Sequence, residues 1–249
     1  MSKNLVSVVI PSFNRFKYLL KAIESVQNQS FKDFNIIVID DASYEDSYKN
    51  ATFEENVKVI RMNENSVSSK GYFSDSIRNI GILNSESKYV AFLDDDDYWL
   101  PNKLESQINK LENSDFKITC TEAYTGSGVY NPKEDYKLYL NNHCYKEISH
   151  IYKKSRIKNN FKNKLQFQFQ FPEVWDINFL KVHNCIITSS VIVERELLNK
   201  IGNFRDIKTK KLYADYDCWL GLLTHSDCYF FNEPLLYYDL NEGMNINTI

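Results

Sequence analysis

Four consecutive aspartates, Asp94 to Asp97, follow the apolar run Tyr89 to Leu93 in the segment FLDDDDYWLP. Adjacent carboxylates repel one another, and a partly dry cleft raises their pKa values unless a cation neutralises them. Oxygen ligands without a nearby His or Cys suit Mg²⁺ or Mn²⁺ better than Zn²⁺, and Mg²⁺ commonly combines one or two carboxylates with the phosphate oxygens of a substrate. The cluster therefore predicts a divalent metal site that binds a phosphorylated ligand.

A simpler explanation treats these carboxylates as solvated loop residues, or as first-turn charges of a helix that begins near Pro101. That explanation suffices for Asp97 and for one of Asp94 and Asp95. It accounts less well for four aspartates in a row, because a second acidic pair, Asp40 and Asp41, follows another predicted strand. We therefore favour the metal site.

Strand-like and helix-like periods alternate through residues 5–121, and continuous apolar strands of this kind are typical of a mostly parallel sheet covered by helices on both faces. The predicted strands are 5–12, 34–40, 57–62, 88–93 and 116–121. The predicted helices are 15–29, a short helix with Ser43 as N-cap, 73–85 and 102–114. This order indicates an α/β fold.

The carboxyl ends of parallel strands are where such sheets bind ligands. The first strand brings Pro11, Ser12, Phe13 and Asn14 to this edge, the second brings Asp40 and Asp41, and the fourth brings the four aspartates. Arg78 is the cation best placed to approach a diphosphate or to hold an acidic residue, although a surface helix arginine is the alternative. Neither GxGxxG nor GxxxxGK[ST] occurs, which disfavours dinucleotide-binding dehydrogenases and P-loop NTPases.

The second half of the chain is less regular. Residues 122–182 are polar and aromatic, with a basic cluster at 152–164 and an alternating QFQFQF segment at 166–171 that predicts a strand. Regular structure returns at 184–193. It continues with a helix ended by Gly202, a helix at 214–225, and two strand-like segments, CYFF and PLLYYDL.

The composition restricts partners and compartment. A net charge of -3 and a pI near 5.9 provide no overall field that attracts nucleic acid. Five cysteines without a CxxC pair argue against a disulfide scaffold and favour a reducing compartment. No signal-peptide pattern and no transmembrane segment are recognisable in the sequence. We expect a cytoplasmic protein, with peripheral membrane association and homo-oligomer formation left open.

Several ordered segments together resemble the family 2 glycosyltransferases, which have the GT-A fold, invert the anomeric centre, and use nucleotide-sugar donors and a metal. VSVVIPSFNRFKYLLKAIESVQNQSFKDFNIIVIDDAS is similar to the opening of that family, and IRNIGILNSESKYVAFLDDDDYWLPNKLE to the segment with its DxD motif. SSVIVERELLNKIGNF and ADYDCWLGLL resemble its acceptor-side segment and its ED motif. The match is close over 1–121 and looser over 184–238.

The resemblance implies a GT-A, Rossmann-like sheet with a smaller acceptor-side region in the C-terminal half. It implies a single domain over 1–249, in which 1–121 binds the nucleotide-sugar and 122–249 binds the acceptor. The implied donor-binding residues are Pro11, Ser12, Phe13, Asn14, Asp40, Asp41, Arg78, Asp94 and Asp95. Among these, Asp41 would hydrogen-bond the base with support from Asp40, and Arg78 would lie near the diphosphate.

The resemblance also implies a Mn²⁺ or Mg²⁺ ion at the DxD aspartates Asp94 and Asp96, with Asp96 as the direct ligand because of its spacing to Pro101. Asp215 occupies the second position of the ED motif and would be the general base. Its alternative role is an N-cap or first-turn charge of the helix that it opens. The implied reaction transfers a hexosyl or N-acetylhexosaminyl group, with UDP as the expected nucleotide, to a glycan, a lipid-linked sugar or a protein.

The chain departs from the family at three positions. Ala214 replaces the glutamate of the ED motif, although Asp217 is available to compensate. Asp239 and Asn241 stand where an Arg and a His are frequent. His225 could substitute as a metal ligand, but we favour a partly buried histidine at the end of a helix. Two other classes therefore remain open, a catalytically degenerate nucleotide- or sugar-binding module and a sugar nucleotidyltransferase.

Overall fold

A computed structural model of the chain describes residues 4–66, 77–146, 148–150, 170–205 and 214–240. The ten strands of these ranges are β1 Val6–Ser12, β2 Phe34–Asp40, β3 Val57–Arg61, β4 Tyr89–Phe92, β5 Tyr98–Trp99, β6 Ile118–Gly126, β7 Lys137–Leu138, β8 Val174–Trp175, β9 Ile192–Glu194 and β10 Cys228–Asp239. The α-helices are α1 Phe16–Gln27, α2 Asp46–Asn50, α3 Ile77–Asn84, α4 Lys103–Glu112, α5 Ile177–Leu180, α6 Arg195–Ile201 and α7 Ala214–Leu222. A π-helix, Leu140–Cys144, and a 3₁₀ turn, Thr188–Ser190, are also present.

The strands form one sheet in the order β3-β2-β1-β4-β9-β6-β10-β5, with β7 paired to β6 and β8 to β10. Neighbours among β3, β2, β1 and β4 run parallel, as do β6 and β10. The short strand β9 lies antiparallel between β4 and β6, and β5 is antiparallel to β10. The predicted mostly parallel α/β sheet is therefore confirmed.

Both faces of the central strands are buried, which explains their continuous apolar sequence. Alternate residues point to opposite faces of a strand. Val8 and Ile36 accordingly belong to one core cluster, together with Leu19 of α1. Val9 and Ile37 belong to the other, which includes Trp219 of α7 and covers the opposite face. This two-sided core fixes the strand ends that carry the acidic residues.

Three local predictions need correction. Ser43 does not cap α2; the N-cap is Glu45, without a side-chain capping bond, because the Ser43 hydroxyl accepts from the Asn14 backbone N–H instead. CYFF and PLLYYDL form one strand, β10, interrupted by register shifts around Pro234. Most of the QFQFQF segment lies outside the described residues, and its last two residues, 170–171, are not in a strand.

Gly81 is the position where α3 crosses β1 most closely. A Cβ atom there would lie 2.4 Å and 2.7 Å from the two γ-methyl carbons of Val9. We expect Gly81→Ala to lower the free energy of unfolding by about 1–3 kcal/mol, since overpacking outweighs the helix propensity of alanine. The matched control is Gly221→Ala in α7, where the nearest atom is the terminal methyl of Ile201 at 3.3 Å. Urea unfolding should show a loss for Gly81→Ala only; equal effects would contradict this packing.

Candidate active site

The carboxyl ends of β1, β2 and β4 meet at one edge of the sheet, called the rim below. Ser12 and Asp40 are the last residues of β1 and β2 and are register partners, and the aspartate cluster Asp94–Asp97 begins two residues after β4. The Ser12 hydroxyl donates to Asp95 at 2.7 Å, which joins the first and fourth strands directly. The structure thus brings the strand-end residues predicted from the sequence into contact.

Arg15, which is not among the site residues predicted from the sequence, contacts two members of the cluster. One of its guanidinium nitrogens, Nη1, lies 2.5 Å from an oxygen of Asp96 and 3.3 Å from an oxygen of Asp95. Asn14, just before it, adopts a positive φ of 51°, which turns the chain into α1. A cation one residue after the predicted pocket segment was the available signal.

Arg78 is a buried partner of the cluster, and this excludes a surface helix arginine. Its side chain is 5% exposed, and its Nη2 lies 2.5 Å from Asp94 Oδ1. The guanidinium carbon also lies 6.0 Å from the ring centroid of Phe204. Asp94 and Asp96, the two aspartates expected to bind a metal, are thus each paired with an arginine.

The 3₁₀ turn Thr188–Ser190, just before β9, supports the cluster through hydrogen bonds. Ser189 Oγ accepts from the Asp94 backbone N–H at 2.9 Å, and its carbonyl accepts from the Trp99 indole N–H at 2.8 Å. The next carbonyl, of Ser190, accepts from Lys103 Nζ at 3.3 Å and from Gln107 Nε2 at 3.0 Å. Lys103 is fully buried, and burial lowers the pKa of its amine well below the usual value. No periodicity pattern reveals this long-range network.

The carboxylates of the cluster are held at an electrostatic cost. Burial, followed by the charge of Asp96, raises the pKa of Asp95 to about 7, against the opposing effects of Arg15 and the Ser12 hydroxyl. Burial and the charge of Asp94 raise the pKa of Asp96. Burial and the charges of Asp96 and Asp94 raise the pKa of Asp97. Two arginines therefore do not fully compensate the cluster.

This cost predicts a pH dependence of stability. An unfolded aspartate has a pKa near 3.9, so the folded chain binds more protons at Asp95 than the unfolded chain does between about pH 4 and pH 7. The free energy of unfolding consequently falls as pH rises through this window, by at most about 1.4 kcal/mol per pH unit for this group. Asp95→Asn should remove that component.

Urea unfolding of the wild type and of Asp95→Asn, in the presence of a chelator and at several pH values across this window, measures this effect. The quantity compared is the difference between their free energies of unfolding. The variant should gain stability relative to wild type as pH rises. Parallel stability curves would show that Asp95 titrates normally. Groups that do not interact with Asp95 cancel in the difference between the two proteins. The measured component therefore belongs to Asp95 together with the neighbouring charges that act on it, chiefly Asp96 and Arg15.

The second acidic pair, Asp40 and Asp41, organises the loop after β2. Asp40 is 1% exposed, accepts from the Ser43 N–H at 2.8 Å, and pairs with Arg61 at 3.0 Å. Asp41 accepts from the Ser66 N–H at 2.8 Å and from the Ser66 hydroxyl at 2.6 Å. Burial raises the pKa of Asp41, while the bonds from Ser66 act in the opposite direction.

The remaining residues of the predicted nucleotide pocket line the same loops. Pro11 is the register partner of Ile39, and the ring of Phe13 meets that of Tyr44 edge-on at 6.1 Å. Asn14 Oδ1 accepts from the Tyr44 N–H at 2.9 Å. Its amide nitrogen, Nδ2, is buried and has no hydrogen-bond partner among the described residues. Tyr44 itself is 73% exposed, so this pocket has both an orphaned donor and an uncovered aromatic ring.

Asp215 lies in the first turn of α7 and is partly buried. Its Oδ1 accepts from the Tyr216 N–H at 2.6 Å. Trp219, one turn further along the helix, packs on Phe92 at the end of β4, with ring centroids 6.1 Å apart. Burial is the main cause that raises the pKa of Tyr238, and the negative charges of Asp97, Asp94, Asp96 and Asp215 raise it further. Asp215 therefore stands on the side of the sheet edge where the cluster lies.

The substitutes considered for the missing family residues do not join this arrangement. Asp217 forms a two-point ion pair with Arg205, at 2.6 Å and 2.7 Å. His225 is exposed, so the prediction of a partly buried histidine is wrong. It precedes β10, at the sheet edge opposite to the rim, and this position does not suit a ligand of a metal at the rim. Asp239 accepts from the Gly128 N–H, and its own N–H donates to Asp97. Asn241 lies outside the described residues.

The carboxylates of the rim fit a metal ion only in combination with other oxygen ligands. Within the described ranges, no group of three or more His, Cys, Asp and Glu side chains is arranged to hold a metal ion. Two carboxylates separated by one intervening residue nevertheless suit a hard cation whose other ligands are diphosphate oxygens and water. Like charges with raised pKa values are also what a bound cation would relieve. The residues therefore fit Mg²⁺ or Mn²⁺ shared with a phosphorylated ligand, and they do not form a protein-only site.

Comparison with solved structures supports the fold. The chain superimposes over its full length on Staphylococcus aureus TarS 1–349 in complex with UDP-GlcNAc, with a TM-score of 0.65, 18% identity and 61% of that chain covered. It also matches the mannosyltransferase PcManGT of Pyrobaculum calidifontis in complex with GDP-Man and Mn²⁺, with a TM-score of 0.61, 11% identity, and 98% and 59% of the two chains covered. At these identities the likeness concerns the GT-A fold.

Curated relatives agree with this result. The chain is 29% identical to an uncharacterized glycosyltransferase of Rickettsia prowazekii over 98% of its own length and 66% of the relative. It is 30% identical, over 48% of its length and 46% of the relative, to Escherichia coli WfaP, a UDP-Glc:α-D-GlcNAc-diphosphoundecaprenol β-1,3-glucosyltransferase. Other Rickettsia relatives are longer still, and the chain spans 16% to 19% of their length.

None of the helices described here combines the length and apolar character needed to cross a membrane. The model of the family described as glycosyl transferase family 2 matches residues 7–176, which is more than half of the chain and includes the rim from Ser12 to Asp97. The predicted family is thereby confirmed: this chain belongs to glycosyltransferase family 2.

Proposed function

We propose that the chain transfers a sugar from a UDP-sugar to an acceptor hydroxyl, with inversion at the anomeric carbon and with help from Mn²⁺ or Mg²⁺. The observation that carries this proposal is the rim, where Asp94 and Asp96 lie beside the loops that end β1 and β2. In this proposal 1–121 forms the donor-binding half and 122–249 the acceptor-binding half of a single domain.

The nucleotide is assigned to the loops after β1 and β2. The orphaned Asn14 amide offers a hydrogen-bond donor, and the exposed Tyr44 ring beside Phe13 offers a face on which a base can stack. Asp41 would bind the base by exchanging a bond that it now accepts from Ser66 or Asn65. The UDP preference is supported by the ligand of TarS and the donor of WfaP.

Asp94 and Asp96 would hold the cation together with the donor diphosphate. When bound, the cation supplies electrostatic stabilisation for the negative charge of the leaving nucleoside diphosphate. Arg78, which is buried against Asp94, orients that carboxylate. The structural match to a manganese-bound mannosyltransferase supports the choice of a divalent metal.

Asp215 is the proposed general base. Its carboxylate accepts the proton of the acceptor hydroxyl while that oxygen forms a bond to the anomeric carbon. The bond between the anomeric carbon and the diphosphate oxygen breaks at the same time, so the configuration inverts. Because Asp217 is paired with Arg205, it does not share this role.

The class of acceptor is proposed from what is known of the relatives. WfaP acts on a lipid diphosphate sugar, and a lipid-linked sugar is our first choice, ahead of a free glycan or a protein side chain. Such an acceptor implies a cytoplasmic protein that works at a membrane surface. The transferred group is expected to be a hexose or an N-acetylhexosamine.

The second candidate is a degenerate binding module, which Ala214 in place of the family glutamate favours. Incubation with UDP-GlcNAc or UDP-glucose, Mn²⁺ and GlcNAc-diphosphoundecaprenol, followed by mass spectrometry and NMR of the product, separates the candidates. A β-linked product from an α-configured donor supports inverting transfer. Nucleotide binding without any product supports the binding module, and UTP formation from pyrophosphate and UDP-sugar would indicate a nucleotidyltransferase.

A further inference from the structure

Arg15 spans the open side of the aspartate cluster. Its Nη1 lies within 2.5 Å of Asp96 and 3.3 Å of Asp95, and its backbone N–H donates to the Tyr48 hydroxyl at 3.1 Å. The backbone bond fixes the start of α1, while the side chain remains a quarter exposed. The base of Arg15 is therefore anchored, and its guanidinium reaches solvent.

The two arginines of the rim differ in how easily they can exchange partners. The side chain of Arg78 is 5% exposed, so its ion pair with Asp94 is shielded from water. Arg15 is 25% exposed and Asp96 21%, so water can replace each of them when the pair opens. Asp95 would retain the hydroxyl of Ser12 in that event. The Arg15–Asp96 pair is thus the exchangeable one.

The charges of the cluster indicate when Arg15 would leave Asp96. The carboxylates of Asp94, Asp95 and Asp96 share two guanidiniums, so negative charge that a divalent cation would offset is left over when all three are ionised. A cation on Asp96 repels Arg15, which holds the same carboxylate. A diphosphate arriving with the cation offers the guanidinium a new anionic partner with suitable geometry.

We propose that Arg15 is an exchangeable counter-ion of the donor site: it holds Asp96 while the donor is absent and contacts the donor diphosphate once a divalent cation has taken Asp96. This inference rests on the proposed function and adds a donor-binding residue to it. It assigns Arg15 opposite effects on the two ligands, since the residue competes with the metal and assists the nucleotide.

The test is Arg15→Gln, with two binding measurements that are independent of activity. Mn²⁺ alone, followed by the paramagnetic resonance signal of the unbound ion, should bind up to about fivefold more tightly because its competitor is gone. UDP, titrated calorimetrically at saturating Mn²⁺, should bind about tenfold more weakly because a charge-assisted hydrogen bond is lost. A merely structural role would weaken both.

Two further variants make the result interpretable. Arg15→Lys keeps the charge but not the planar fork, so both shifts should have the same signs and be smaller; it also serves if Arg15→Gln does not fold. Lys117→Gln removes an ion pair of the same type, with Glu194 at 2.9 Å, just before β6 at the opposite sheet edge. It should change neither affinity.

Opposite shifts in the Arg15 variants support the inference. Shifts of the same sign, or no shift, in a protein whose wild type binds UDP with Mn²⁺ overturn the role of Arg15 and leave the proposed function intact. If the wild type binds neither UDP nor Mn²⁺, the proposed function fails, and the inference fails with it.

Discussion

Asp96→Ala should reduce sugar transfer by at least two to three orders of magnitude, on the order of the several kcal/mol that a metal ion contributes to charge stabilisation. The carboxylate is a fifth exposed, and burial together with Asp94 raises its pKa, so its removal relieves repulsion while it breaks the pair with Arg15. These effects oppose each other, and the free energy of unfolding should change by less than about 1 kcal/mol.

Transfer rates across a Mn²⁺ titration, with urea unfolding in parallel, measure both expectations. Excess Mn²⁺ should not restore the rate. Asp33→Ala is the control, because Asp33 is an exposed aspartate whose carbonyl meets the start of β1 at the opposite edge. A variant at Asp96 that keeps its full rate would remove the metal assignment, and a collapsed fold would make this carboxylate structural.

Asp215→Asn should lower the turnover rate by about 10²–10⁴, the usual share of general acid–base catalysis, and leave UDP affinity unchanged. The substitution keeps the size of the side chain and an oxygen that can accept from the Tyr216 N–H. It removes the negative charge and with it the group that accepts the proton. Pre-steady-state transfer rates and calorimetric UDP binding separate the two effects.

Asp217→Asn is the matched control, since Asp217 lies in the same helical turn and is occupied by Arg205. It should keep the transfer rate within a few-fold. If Asp217→Asn abolished transfer and Asp215→Asn did not, the neighbouring acid would be the base. Reduced UDP affinity in Asp215→Asn would instead favour a structural first-turn charge.

The sequence predicted the parts of the fold that depend on local periodicity. The alternation of apolar strands and amphipathic helices through residue 121 placed β1, β2, β3 and β4 to within one residue at each end, and the start of β6 to within two. Local periodicity did not predict the order of the strands in the sheet. β9 inserts antiparallel between β4 and β6, and this pairing joins residues 73 to 105 positions apart in the sequence, which no local pattern connects. The single bulged strand β10 was likewise read as two segments.

The candidate site shows the same division. Strand ends placed Ser12, Asp40 and the aspartate cluster at one edge, because parallel strands end together. The counter-ions were harder to find. Arg78 was singled out, whereas Arg15 was missed because a polar residue after a strand is usually a solvated loop residue. The support from Ser189 and the buried Lys103 depends on tertiary contacts alone.

The central claim, a metal-dependent nucleotide site at the rim, is tested most directly by the melting temperature with uridine, guanosine, thymidine and cytidine diphosphates, each with and without Mn²⁺. A ligand that binds only the folded state stabilises it, by about 2.7 kcal/mol at one hundred times its dissociation constant. We predict that UDP raises the melting temperature of the wild type only when Mn²⁺ is present, and that Asp96→Ala loses this rise. No rise with any nucleotide, with or without Mn²⁺, would contradict the account.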